Sequence, residues 1–289
     1  MPDLTPFLVL GFALGGVFAM SGVGLVVLYR ATGVLNLAYG AIGAVGALIS
    51  WSLIKAGFPQ WPAYGACILF GGLATLLYGR FFGPPFAPRD PLVKATGTLG
   101  LLVILLGVME WRWGGVTSRS LILPTSRWNY QLGTARISWT QIIGMVFPII
   151  VTAGTAVFLR KSKMGTAMRA LANDREITAM LGVPVRRVEA AAWLGSGLVC
   201  GVAGLLLSNL VALDIVGLSF LVIPALAAAL IGQLRSLPIT LVAGFVIGIV
   251  QSCLTPFASL SDYRTLTPFA LAIPALLWFA RRRELLVRT

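Results

Sequence analysis

Histidine is absent from these 289 residues, and acidic side chains number only 9. Without histidine, a structural metal centre would have to rest on cysteine, yet Cys67, Cys200 and Cys253 stand singly inside apolar runs. With no paired spacing they define neither a metal site nor a disulfide scaffold, and they read as small buried packing residues. Charged residues make up 11% of the chain, against about 25% in a soluble domain. That is too few to solvate a globular surface, and 58% of the chain is hydrophobic. A soluble enzyme and a disordered chain are thereby excluded, leaving an all-α, polytopic membrane protein.

The scarce carboxylates are also missing where coupled ion transport or catalysis would use them. Asp3, Asp90, Asp174, Glu176, Glu189, Asp214, Asp262 and Glu284 fall in loops, tails or helix ends. Glu110 alone approaches a span, close to Arg112 at its predicted end, where an ion pair or an interfacial carboxylate is the simplest reading. Proton- or sodium-coupled carriers place carboxylates or broken helices near mid-membrane, so this shortage argues against secondary coupling. It argues equally against an intramembrane protease or transferase. No G-x-x-x-x-G-K-[ST] phosphate loop occurs, so the chain does not hold ATP by that device. Neither catalytic residues nor a metal or other cofactor is expected in this chain, and the energy for active transport would come from another subunit.

Long charge-free runs are what the sequence does have. Leu4 to Tyr29, Ala31 to Ile54, Ala56 to Gly79, Ile137 to Leu159, Ala190 to Leu213, Ile215 to Leu234 and Ser236 to Ser261 are each long enough to span a bilayer. Ala95 to Met109, extended to Trp113, and Thr265 to Ala280 add two more. The expectation is a single transmembrane domain over residues 1–289 with about nine helices, eight and ten being the alternatives. The N-terminus, with Asp3 in place of a basic region and a long apolar run after it, does not read as a cleaved signal peptide. Glycine pairs at three- or four-residue spacing (Gly11 and Gly15, Gly43 and Gly46, Gly197 and Gly201, Gly244 and Gly248) suit close helix packing within one bundle.

The 22 cations set against 9 acidic groups give a net charge of +13. Nucleic-acid binding would gather them on one soluble face, whereas here they punctuate the spans. With the N-terminus outside and the C-terminus inside, 16 of them lie in internal segments and 6 in external ones, as the positive-inside rule requires. Seven crowd the internal segment from Arg160 to Arg187. Within it, Asn173 as N-cap with Glu176 three residues later, Gly182 at the C-terminal end and Pro184 beyond predict a helix from Asp174 to Leu181. Ile177, Met180 and Leu181 form its apolar stripe. A helix that short is marginal alone, so it docks on a cytoplasmic partner or lies on lipid headgroups.

Around this helix stand Gly165, Arg169, Ala170, Ala172, Asp174, Ala179, Gly182 and Arg186. The early segment Leu35-Asn36-Leu37-Ala38-Tyr39-Gly40 comes before it. Gly195, Gly201 and Gly204, an Ala-rich run ending in Gly232, Leu237-Pro238, and Gly244 with Gly248 come after. In order and spacing these resemble the branched-chain amino-acid permeases of ATP-binding-cassette importers, the shorter of the two permease types, over nearly the whole chain. Tyr39 stands where that family usually has histidine, and Gln233-Leu234-Arg235-Ser236 where a Gly-rich stretch is more common.

The resemblance implies a permease in the bacterial inner membrane. It would pair with a second homologous permease, bind two cytoplasmic ATPase subunits that hold the ATP, and receive solute from an external binding protein. It places the coupling loop at 160–189, with Gly165, Arg169, Ala170, Asp174, Glu176, Ile177, Ala179, Met180 and Gly182 as the coupling residues. Asn36 and Tyr39, polar groups in an apolar stretch, are candidates for the translocation pathway, although Asn36 also suits a bond to neighbouring backbone. The solute is a branched-chain or related amino acid, with amides, urea or another small polar solute as the alternative. An ATP-independent channel or facilitator is the competing class, and a structural membrane scaffold the third.

Overall fold

The computed structural model describes residues 4–87, 89–115, 119–132, 135–211, 213–257 and 261–287. It is an all-α bundle built around α1 (Thr5–Thr32), which has Pro6 in its first turn and ends at Gly33. Gly33 takes φ +66° and donates its N–H to the Tyr29 carbonyl, a left-handed stop that suits glycine. There follow α2 (Tyr39–Lys55), α3 (Gln60–Phe81), the short α4 (Gly83–Phe86) and α5 (Pro91–Trp113). A small antiparallel hairpin, β1 (Asn129–Leu132) and β2 (Ala135–Ser138), leads into α6 (Trp139–Lys161). Then come α7 (Lys163–Asn173), α8 (Arg175–Met180) and α9 (Val185–Leu210). The chain continues through α10 (Ile215–Ser219), α11 (Val222–Ile231), α12 (Leu237–Cys253) and α13 (Thr267–Val287).

Among the described residues, α1, α3, α5, α6 and α9 are long and apolar enough to cross a membrane; α2, α10–α11 and α12 are shorter apolar segments. Lipid tails are as apolar as leucine, so helices here associate by close backbone approach. α1 packs most extensively on α12, where Gly11 and Gly15 face Gly244 and Gly248 with no space for a Cβ between them. The α3–α9 contact is made likewise by Gly71 against Gly197 and Gly201, and is fixed by Thr75 Oγ1 donating to the Trp193 carbonyl at 2.8 Å. α1 is the most enclosed span. α5 and α6 instead turn Val103, Ile104 and Ile150 outward, as a lipid-facing periphery would.

Charge-free runs and helices do not coincide everywhere. The run from Ala31 to Ile54 contains a non-helical linker, residues 33–38, so α2 is shorter than a full span. Asn36 belongs to that linker and not to a helix: its Oδ1 accepts from the Ala38 N–H, an Asx-type bond that competes with helix. Thr98 clamps the linker, accepting from the Leu37 N–H and donating to the Leu35 carbonyl. The run from Ile215 to Leu234 is broken into α10 and α11 at Phe220-Leu221, and in that from Ser236 to Ser261 α12 ends at Cys253. Absence of charge marks what lipid tolerates, not where the backbone leaves the helix.

The internal segment also differs from its reading. It holds two helices, because Ser162 caps α7 by accepting from the Gly165 N–H. Asn173 is the last residue of α7 and not the cap of α8. Asp174 is that cap, accepting from the Ile177 N–H at 2.9 Å, and α8 spans Arg175–Met180 instead of 174–181. A carboxylate in extended backbone outcompetes an asparagine already committed to the preceding helix. Arg112 sets its guanidinium over the Trp113 ring at 5.7 Å, leaving Glu110 as an exposed interfacial carboxylate.

Candidate functional site

Two stations carry the predicted site residues, one inside the bundle and one on the surface of its cation-rich end. Inside, α2 begins at Tyr39 against the break between α10 and α11. Gly40 is pressed on the Ser219 carbonyl, and Gly43 lies against Cys200 and Gly204 of α9. Both glycines are dictated by backbone proximity. The Cys200 thiol donates to the Tyr39 carbonyl at 2.9 Å, and Ser196 Oγ donates to the Gly24 carbonyl of α1 at 3.0 Å.

These helices enclose a cavity of about 20 Å³ lined by Ser21, Tyr39, Gly43, Cys200, Gly204 and Leu218. That volume admits roughly one water. Tyr39, which lines it, and Asn36, three residues earlier in the linker, each carry a buried polar atom (Oη and Nδ2) with no hydrogen-bond partner among the described residues. Buried polar groups are ordinarily satisfied, and a broken helix next to such groups is where transporters place polar solutes. Asn36 and Tyr39 thus lie three residues apart, in the linker and at the start of α2. Sequence reading missed the α10–α11 break, whose weak signal was Asp214 as the cap of a five-residue helix, and took Cys200 for packing alone.

At the surface station, α7 lies on the end of α6. Gly165 contacts the Phe158–Leu159 backbone with no space for a side chain, Met168 and Leu171 are buried, and Ala170 is half-buried. Arg169 is exposed, with Nη2 at 3.5 Å from Thr166 Oγ1. α8 then projects. Asp174, Glu176 and Ala179 are exposed, and Gly182 closes the turn at φ +80°. Ile177, Met180 and Leu181 are 57%, 83% and 77% exposed, an apolar face held out by a capped helix. Arg175 returns across this turn to Glu189 of α9 at 2.9 Å. Gly165 and Ala170 thus build the platform, while Ile177 and Met180 form the free face.

Residues 7–277 match the sequence profile of the family described as branched-chain amino acid transport system / permease component. The chain belongs to this family. Among relatives, it is 25% identical to the high-affinity branched-chain amino acid transport system permease protein LivH of Escherichia coli (strain K12), across 92% of this chain and 91% of that one. It is 24% identical to BraD of Pseudomonas aeruginosa, named for the same transport system, across 96% and 95%. It is also 24% identical to the L-arabinose ABC transporter permease protein AraH of Azospirillum brasilense, across 98% and 83%. The chain is a multi-pass membrane permease.

Proposed function

We propose that this permease is the membrane-spanning half of an ATP-driven importer in the bacterial cytoplasmic membrane, carrying branched-chain or related small amino acids. The N-terminus lies outside and the C-terminus inside, which puts α7 and α8 in the cytoplasm. Two ATPase subunits hold the ATP and dock on α8, a second homologous permease completes the pathway, and an external binding protein delivers the solute. The exposed face of Ile177, Met180 and Leu181 on a side-chain-capped helix carries the reading. An apolar face of that kind is unfavourable in water and is suited to a partner's groove. Closure of the ATPases would move α8 as a lever on α9 and open the glycine-lined seam.

The arabinose permease among the relatives supports a second reading of the substrate, a small polar solute other than an amino acid. Co-purification tests the proposal. The wild-type chain should retain an ATP-hydrolysing subunit, and Ile177→Asp with Met180→Asp should lose it while the bundle remains folded. Unchanged assembly and transport in that double variant would remove the docking role. ATP-independent flux through the purified chain would establish the channel class instead.

A further inference from the structure

A cavity of about 1010 Å³ opens at the cation-rich end, where the ends of α1, α5, α7, α11 and α13 converge. Its lining holds four cations, Arg30, Lys94, Arg175 and Arg235, and no carboxylate. Arg175 is paired with Glu189, and the other three have no acidic partner among the described residues. Arg30 and Lys94 are half-buried, and Arg235 is exposed. Arg30 Nη1 donates to the Arg235 carbonyl at 3.3 Å, and the Lys94 ammonium stands 3.7 Å from where a Cβ on Gly33 would be.

Local structure does not account for this gathering. Arg30 suits the last turn of α1, but Lys94 sits in the first turn of α5, where the helix dipole disfavours a cation. Arg235 follows Gln233 and Leu234, both held at φ +53°. Glycine alone adopts that conformation freely, and strain of this kind gathers at ligand clamps. Like charges around one space repel unless an anion joins them, and phosphate oxygens are acceptors that both arginine and lysine take well.

The opposite wall points to the source of the phosphate. Leu276 and Phe279 of α13 line it, and Ile273 and Leu277 of the same helix are 56% and 60% exposed, an apolar face turned outward. A soluble phosphate has no use for that wall. A phospholipid sets its headgroup on cations and its chain on apolar side chains, and basic pockets between helix ends suit such headgroups.

We propose that this cavity holds the phosphate of an anionic phospholipid, with Arg30, Lys94 and Arg235 on its oxygens and an acyl chain along Leu276 and Phe279. The lipid then joins the end of α7, next to the docking helix, to α1 and α13. With the orientation proposed above it belongs to the cytoplasmic leaflet, and only this leaflet assignment rests on that reading.

The test is native mass spectrometry of the full chain in detergent, offered phosphatidylglycerol and phosphatidylcholine of the same acyl chains in equal amounts. Phosphatidylglycerol should form the preferred adduct. Arg235→Gln, at an exposed position, should weaken it about fivefold, the effect of one cation near a headgroup. Arg30→Gln, Lys94→Gln and Arg235→Gln together should weaken it at least about twentyfold. Lys161→Gln, Lys163→Gln and Arg187→Gln together remove the same charge outside the cavity and should leave the adduct unchanged. Equal binding of the two lipids, or an equal loss in this control, overturns the proposal. Phosphatidylglycerol should also raise the melting temperature of the wild type by about 2–4 °C; a rise of equal size in the triple cavity variant overturns the proposal. Millimolar glycerol phosphate or inorganic phosphate should not displace the lipid, and displacement would assign the cations to a soluble phosphate and sink the lipid site. If the lipids bind alike, yet the triple cavity variant loses a co-purifying ATPase, the cations serve a partner's acidic segment and the proposal falls. An inverted topology would move the lipid to the other leaflet and refute the orientation alone, since binding in detergent reads the cavity whichever way the chain faces.

Discussion

The Cys200 thiol of α9 donates to the Tyr39 carbonyl of α2 at 2.9 Å. The bond joins two helices whose backbones already meet at Gly43 and Gly204, and Tyr39 Oη finds no hydrogen-bond partner among the described residues. If the solute passes between α2 and α9, opening has to separate these walls.

Cys200 therefore reports opening. In a Cys253→Ser background Cys200 should resist N-ethylmaleimide at rest, since it and Cys67 are both buried. During ATP turnover in the assembled transporter its labelling rate should rise severalfold, read by mass spectrometry of the α9 peptide. Labelling that is indifferent to turnover would mean that this seam is not the moving part.

Two glycines of α9 should respond oppositely to alanine. A Cβ at Gly204 would collide with the Gly43 backbone, whereas one at Gly195 meets nothing within 4 Å. Gly204→Ala should cost about 1–3 kcal/mol through overpacking, while Gly195→Ala should be neutral or stabilising by up to about 1 kcal/mol. Thermal unfolding of both variants in the same detergent decides it.

The cap of α8 is equally specific. Asp174→Ala removes the acceptor of the Ile177 N–H and should cost about 1 kcal/mol of local helix stability; Asp174→Asn should restore most of it. Hydrogen exchange over residues 175–180 should accelerate in the alanine variant only. Equal protection in both would show that packing, and not the cap, holds α8.

Orientation has its own measurement. Met180 is exposed at the tip of α8. A Met180→Cys variant lacking Cys253 should be shielded from membrane-impermeant thiol reagents in intact cells and label once the membrane is opened. Labelling in intact cells would invert the topology.

What was legible in the sequence, and what was not, follows from range. Composition and charge-free runs gave the all-α membrane bundle, since lipid selects against charge residue by residue. The αL turn at Gly182 and the exposed stripe of α8 were readable because caps and periodicity act within a few positions. The linker at residues 33–38 was not, because what holds it there is Thr98, more than sixty positions away. Nor was the α10–α11 break, whose surroundings come from α2. Arg119 read only as one external cation among six, since nothing local shows that Trp51 and Leu213 will enclose it.

Arg175 of α8 and Glu189 of α9 tie the helix proposed to dock the ATPases to the helix that carries Cys200. One carboxylate oxygen of Glu189 accepts from both Nε and Nη2 of Arg175, at 3.0 and 2.9 Å. Because Arg175 is about half exposed, the pair adds roughly 0–1 kcal/mol to stability and is weakened by salt. Its value is positional: it fixes α8 to the first turns of α9, and Cys200 lies eleven residues further along that rigid helix, about 16 Å away. Glu189→Gln should leave the melting temperature nearly unchanged, yet lower the number of solutes carried per ATP hydrolysed. The charge-reversed pair, Arg175→Glu with Glu189→Arg, should recover part of that ratio. A Glu189→Gln transporter with the wild-type ratio would show that force reaches α9 by another route, the direct packing of α7 on α1 and α9 being the next contact to break.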